Sequence, residues 1–255
     1  MCDLRGYLGG KNNFPADREV AEQIMTVRPE MREMARANRA FLGRAVRFAV
    51  DSGIRQFLDI GTGIPAEGNT HEVARAAAPD CAVAYVDNDP MVLVHARALM
   101  AAEGPGSGRT AIVQGDVRDP RAILDDPGVR AAIDFEKPVG LLLVAILHFI
   151  GDAYRPAEIV ATLRDALAPG SMLILSHGVY NPDQLDEVAR FTKAYSKAAA
   201  EAHIRTPEEV LTYFAGFDLV EPGFVQVTDW RSPPGTEPLP LQAGFRAGVG
   251  ILPPQ

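Results

Sequence analysis

Three short polar signals stand in order at the ends of apolar runs: Asp59-Ile-Gly-Thr-Gly63, Asp87-Asn-Asp89 and Gly115-Asp-Val117. Each carries a chemistry. Glycines directly after an apolar strand let the backbone come close to a ligand. The free N–H groups of a following helix face the same gap. A carboxylate closing the next strand, here Asp87, is placed to accept hydrogen bonds from the two hydroxyls of a ribose. Asp116 can accept from an exocyclic amino group, and the Val117 N–H can donate to the same ring. The plain alternative is structural: a tight strand-to-helix turn at Gly61 and Gly63, and helix caps at Asp87, Asn88 and Asp89. Asp89, just before Pro90, reads as the cap and Asp87 as the ligand.

Spacing separates the nucleotide classes. Gly61 and Gly63 are followed by Gly68, which is not the G-x-G-x-x-G of a dinucleotide fingerprint. Asp59 stands where such a fingerprint usually carries an apolar residue. Its carboxylate can anchor the glycine turn and lie near an ammonium group. These details favour S-adenosylmethionine over NAD. The candidate cofactor residues are Asp59, Gly61, Thr62, Gly63, Asn69, Asp87, Asn88, Gly115, Asp116, Val117, Ala145 and His148, with Tyr7 and Arg39 from the N-terminal region.

The elements that must position these residues alternate. Gln56–Ile60, Ala82–Val86, Ala111–Gln114, Val139–Ala145 and Met172–Ser176 are short, continuous apolar runs, as strands buried on both faces should be. Helices are expected over Thr70–Ala78, Pro90–Glu103, Ala157–Leu167 and Pro182–Ala200, the first opened by a capping-box pair, Asn69 and Glu72. Such alternation predicts an α/β, doubly wound, mainly parallel sheet. Phe224–Trp230 and Phe245–Ile251 read as two more strands. The linker between them carries Pro233, Pro234, Pro238 and Pro240 and cannot be a crossover helix, so the pair belongs antiparallel at the sheet edge. Ahead of all this, Ala16–Val27 and a stretch from Pro29 to about Val50 have helical character. The second has an apolar stripe through Met31, Met34, Ala35, Phe41, Leu42, Ala45 and Ala49, and Gly53 ends it. Residues 1–52 are therefore read as a helical segment set apart from a domain of residues 53–255.

Composition narrows the partners. The chain of 255 residues has a formal charge of −8, which argues against non-specific nucleic-acid or anionic-membrane binding. Cys2 and Cys81, the only cysteines, fit no metal or CxxC pattern, and a reduced cytosol is the expected compartment. The longest apolar run, Val139–Ile150, falls short of the roughly 20 residues that span a bilayer. No His, Asp and Glu set has metal-site spacing.

In their order, Leu58-Asp-Ile-Gly-Thr-Gly63, Val86-Asp-Asn-Asp-Pro90, Gly115-Asp116 and Leu147-His-Phe149 resemble a class I S-adenosylmethionine-dependent methyltransferase. With Gly68-Asn69, Gly9-Gly-Lys-Asn-Asn-Phe14 and Ala35-Arg-Ala-Asn-Arg39, the chain is similar, over essentially its whole length, to a bacterial family of S-adenosyl methyltransferases formerly filed as a domain of unknown function. Position 12 is Asn where that family's pattern leads one to expect an acidic residue. The resemblance implies a Rossmann-like methyltransferase fold of seven strands with an antiparallel last strand, and it makes the N-terminal segment, residues 1–52, a helical cap or lid. It implies S-adenosylmethionine as cofactor and names no acceptor; a small molecule is the expectation.

Methyl transfer has a neutral, good leaving group, so positioning and exclusion of water matter more than acid catalysis. A base helps only when the acceptor is protonated. His148, after the fourth strand, is the candidate; His177, after the fifth, is second. His71, His95 and His203 fall on expected helices and read as solvated or structural. The Tyr7–Phe14 loop could close as a lid hinged at Gly9 and Gly10. Arg36, Asn38 and Arg39 could meet the carboxylate of the cofactor's methionine end, or form a helix's polar face. Two other functions share the main signals: an NAD-dependent oxidoreductase and a non-catalytic cofactor-binding protein.

Overall fold

The computed structural model describes residues 31–63, 68–102, 109–180, 202–236 and 244–254. The expected helices Ala16–Val27 and Pro182–Ala200, Tyr7 and the Tyr7–Phe14 loop lie outside them.

The chain begins, within the described residues, with α1 (Met31–Asp51). Its apolar stripe is buried as the three- and four-residue spacing requires. Gly53 takes φ 101°, which lets Gly53 N–H reach Val50 O and Ile54 N–H reach Ala49 O, closing the helix end. Then come β1 (Gln56–Ile60), α2 (Thr70–Ala77), β2 (Ala82–Asp87), α3 (Pro90–Ala102), β3 (Thr110–Gln114), α4 (Pro120–Asp125), α5 (Pro127–Ala132), β4 (Gly140–Val144), α6 (Pro156–Arg164), β5 (Met172–Gly178), α7 (Pro207–Leu211), β6 (Asp218–Leu219), β7 (Val225–Gln226) and β8 (Phe245–Ile251). Two 3₁₀ turns, Leu147–Phe149 and Asp152–Tyr154, follow β4.

The strands lie in the order β3-β2-β1-β4-β5-β8-β6, with β7 also paired to β8. β1 to β5 are parallel, β8 runs antiparallel to β5, and β6 and β7 share the outer edge of β8. The expected seven positions are present, the outermost filled by two short pieces. The strand expected over Phe224–Trp230 contracts to Val225–Gln226. Beyond it the chain turns so that Trp230 buries fully against Phe41, with ring centroids 5.4 Å apart, and its carbonyl accepts from Arg44 Nε at 2.9 Å. The demands of that anchor override the strand propensity of Val227–Trp230.

Core residues alternate along the central strands. Phe57, Leu142 and Ile174 point into one layer with α1, whereas Leu58, Ile60, Leu141, Leu143, Leu173 and Leu175 point into the other with α6. Both faces are covered, hence the continuous apolar runs. Among the described residues no helix is long and apolar enough to cross a membrane, and no cluster of three or more His, Cys, Asp or Glu could hold a metal ion.

Candidate cofactor site

The parallel strands all end at one edge, and the chain reverses its direction of travel across the sheet between β1 and β4, where open α/β sheets form a ligand crevice. A cavity of about 480 Å³ lies there. Gly61, Asp87, Asn88, Gly115, Asp116 and Val117 line it, six of the residues nominated from sequence, brought together from the ends of three strands. The opposite wall is Ile146, Phe149, Ile150, Gly151, Ala153 and Tyr154, with His203 beside it.

Two glycines are required by geometry. Gly61 has φ 76°, and a Cβ there would sit 2.6 Å from Ile146 Cδ1. At Gly115 a Cβ would come within 2.8 Å of Val86 Cγ1. The backbone at both points is free of side-chain bulk where it borders the cavity.

Asp87 carries the charge of the site. One carboxylate oxygen accepts from the Gly63 N–H and the other from the Asp89 N–H, both at 2.9 Å. These bonds fix the side chain and leave each oxygen a second lone pair. Burial pushes its carboxyl above the ordinary range, opposed by those two N–H groups. Asp89 caps α3 by accepting from the Met91 N–H at 2.9 Å.

Asp59 stands behind the lining. It is buried, accepts from Thr70 Oγ1 at 2.6 Å, and lies within the electrostatic reach of Arg39 and Asp87. Burial raises its carboxyl to about 6, against the Thr70 hydrogen bond and the Arg39 charge. Thr62 Oγ1 returns to the Asp59 carbonyl at 3.2 Å. Asn69 opens α2, its N–H donating to Glu72 Oε2 at 3.1 Å as the capping-box pattern requires. Ala145, at φ 56°, places its N–H on the carbonyl and hydroxyl oxygens of Ser176, each at 3.1 Å.

His148 does not line the cavity. It is buried, with its ring 4.3 Å from that of Phe149, 5.3 Å from Phe245 and 5.4 Å from His177. Its Nδ1 has no hydrogen-bond partner among the described residues. Burial, with the neighbouring His177 ring and the Arg205 charge, holds it well below the usual histidine range, so the ring is neutral. His177 is likewise neutral: burial lowers it to about 3, and Arg205 Nη1, a donor only, faces its Nε2 at 3.3 Å. Nδ1 therefore holds the proton and donates it to Gly178 O at 2.6 Å.

Arg205 organises the second wall. Its guanidinium donates to the carbonyls of Leu147 (3.2 Å), Ile150 (2.7 Å) and His203 (3.3 Å) and to Asp152 Oδ1 (2.6 Å). The 3₁₀ turns that bound the cavity hang on this one buried cation.

Sequence reasoning missed Arg118, Tyr154 and His203. Arg118 follows the Gly115-Asp116 signal directly, and its position two residues from Asp116 was the available clue. His203 lies not on a helix but in an irregular stretch, where its N–H donates to His148 O at 2.7 Å; no local pattern marks it. His71 accepts a structural role, its Nδ1 2.6 Å from Tyr85 Oη.

Residues 5–253 match the model of a family described as S-adenosyl methyltransferase. The chain belongs to that family. It is 39% identical to a DUF574-family protein from Streptomyces avermitilis MA-4680, over 98% of this chain and 97% of that one, with a TM-score of 0.90. It is 41% identical to a candidate methyltransferase from Thermobifida fusca YX, over 100% and 95% of the two chains, again at 0.90. Human N-acetylserotonin methyltransferase, solved with S-adenosylmethionine, shares the fold at 16% identity and a TM-score of 0.51 over 93% of this chain and 57% of that one. A search of curated proteins finds no match. This S-adenosyl methyltransferase thus has the mainly parallel sheet, with an antiparallel strand at its end, that the strand pattern predicts.

Proposed function

We propose that this chain binds S-adenosylmethionine in the cavity at the strand ends and transfers its methyl group to a small-molecule acceptor. The carrying observation is Asp87: a buried carboxylate, fixed by two backbone N–H groups, lining a cavity at the sheet's switch point. A cavity of about 480 Å³ has the size of a small-molecule cofactor site. On this reading Asp87 accepts from the ribose hydroxyls, Gly61 and Gly63 let the backbone approach, and Gly115, Asp116 and Val117 border the base. Asp59, with Thr62 and Asn69 holding its turn, and Arg39 serve the methionine end. Bound S-adenosylmethionine supplies a sulfonium-activated methyl group with a neutral leaving group.

The chain's own residues do the rest by positioning. Ile146, Phe149 and Ile150 give the cavity an apolar wall that excludes water, and Ala145 fixes the turn at the end of β4. His148, the base candidate from the sequence, is buried behind Phe149 rather than on the cavity wall, and burial holds its basicity low, so the proposal rests on positioning and draws no base from it.

Isothermal titration tests the proposal. S-adenosylmethionine should bind the wild-type chain, and Asp87→Ala should weaken binding by at least about 100-fold, the worth of two hydrogen bonds to a charged acceptor. No heat at millimolar ligand rejects it. Incubation of labelled cofactor with an extract of the producing organism then identifies the acceptor class.

A further inference from the structure

Arg118 and Tyr154 come from opposite walls of the cavity, one after β3 and the other in the second 3₁₀ turn after β4, and both line it. They meet across its mouth. Arg118 Nη1 donates to Tyr154 Oη at 3.3 Å, and the guanidinium carbon lies 5.0 Å from the centre of the tyrosine ring. On its other edge Arg118 grips Asp116: Nε reaches both carboxylate oxygens at 2.9 Å, Nη2 bonds to Oδ2, and the backbone N–H bonds to Oδ1 at 2.9 Å. The side chain of Asn88 bonds to the same carboxylate.

A carboxylate has about four lone-pair sites. Those of Asp116 are filled by donors from its own chain, and an exocyclic amino group would have to displace one of them. The guanidinium, by contrast, is held as a fixed plane at Nε, Nη1 and Nη2, while its side chain remains 41% exposed beside the cavity.

We propose that Arg118, rather than Asp116, meets the purine of the bound nucleoside. Its guanidinium, tied at its edges to the Tyr154 hydroxyl and the Asp116 carboxylate, offers a face to the purine, and those two partners serve to hold that plane. This rests on the cofactor reading given above. A planar cation stacks on aromatic rings with modest, sequence-tolerant strength, and lysine does not reproduce the plane.

The test is titration of the full chain with S-adenosylhomocysteine and with adenosine, which share the purine end. R118A is expected to weaken both about tenfold, the loss of one desolvated stacking contact. R118K is expected to stay weakened, since charge without planarity does not restore the stack. Y154F, which keeps the ring, is expected to lose no more than about threefold. Thermal unfolding should match the wild type for all three, because these side chains are at the surface. R118A binding as tightly as wild type, or tighter, overturns the proposal by making Arg118 a plug on Asp116. R118K at wild-type affinity overturns it too, by reducing Arg118 to a charge. A wild-type chain that takes neither ligand overturns the cofactor reading itself, a result distinct from both.

Discussion

Gly61→Ala probes the point where fold and site are hardest to separate. The backbone at Gly61 has φ 76°, and an L-residue held in that region costs about 1–2 kcal/mol. The added Cβ would also sit 2.6 Å from Cγ1 and Cδ1 of Ile146 and 2.9 Å from its Cβ, in a wall that is already buried. Overpacking of this kind costs about 1–3 kcal/mol. The expected loss of stability is therefore about 2–5 kcal/mol, a fall of roughly 4–20 °C in Tm for a chain of this size. Ile146→Ala alone should cost about 2–5 kcal/mol through the cavity it leaves. In the double variant the Cγ1 and Cδ1 contacts vanish while the backbone cost stays, so the two losses should fall short of additive by about 1–3 kcal/mol. Urea unfolding of the four proteins measures every corner of the cycle. Strict additivity, or a Gly61→Ala loss below about 0.5 kcal/mol, refutes the steric account.

Three further outcomes follow from the buried polar groups. Asp59, raised to about 6 by burial, holds its proton more tightly in the folded chain than in the unfolded one. That stabilisation is complete below about pH 4 and is lost as pH rises through about 6, a change of about 3 kcal/mol. The stability of wild type relative to Asp59→Asn should fall by that amount across the window; parallel pH profiles refute it. Arg205→Met should destabilise by about 3–5 kcal/mol because the carbonyls of Leu147, Ile150 and His203 lose their donor, while Asp152, 88% exposed, simply returns to water. A thermal shift equivalent to less than about 1 kcal/mol would contradict the keystone role. His148→Leu removes a buried nitrogen without a partner and should leave stability unchanged or higher. Turnover should also be retained, because His148 does not reach the cavity; a loss of about 100-fold or more would contradict that and restore it as a base.

The sheet was legible because its central strands are buried on both faces and read as unbroken apolar runs. The polar residues that interrupt those runs at their ends, Asp59, Asp87 and Asp116, stood out for the same reason. The short helices Pro120–Asp125 and Pro127–Ala132 escaped, although Asp119-Pro120 and Asp126-Pro127 carry a cap followed by a proline at the first helical position. Their length leaves no periodicity to detect. The second wall was the least readable part. The Leu147–Tyr154 turns are irregular, and what shapes them, Arg205, lies more than fifty residues away in sequence and contacts carbonyls, which any residue presents. A contact of that kind leaves no composition or spacing behind.

The pairing between Val179 and Arg205 has its own consequence. Val179 bridges Arg205 in parallel, and the Tyr180 N–H donates to the Arg205 carbonyl at 3.1 Å, so the chain leaves β5 and returns to nearly the same spot. This clasp ties the end of β5 to the stretch that carries Arg205, and through it to the carbonyls of Leu147 and Ile150 behind the crevice. A change that loosens the end of β5 is therefore felt in the crevice wall, although no residue of β5 borders the cavity itself.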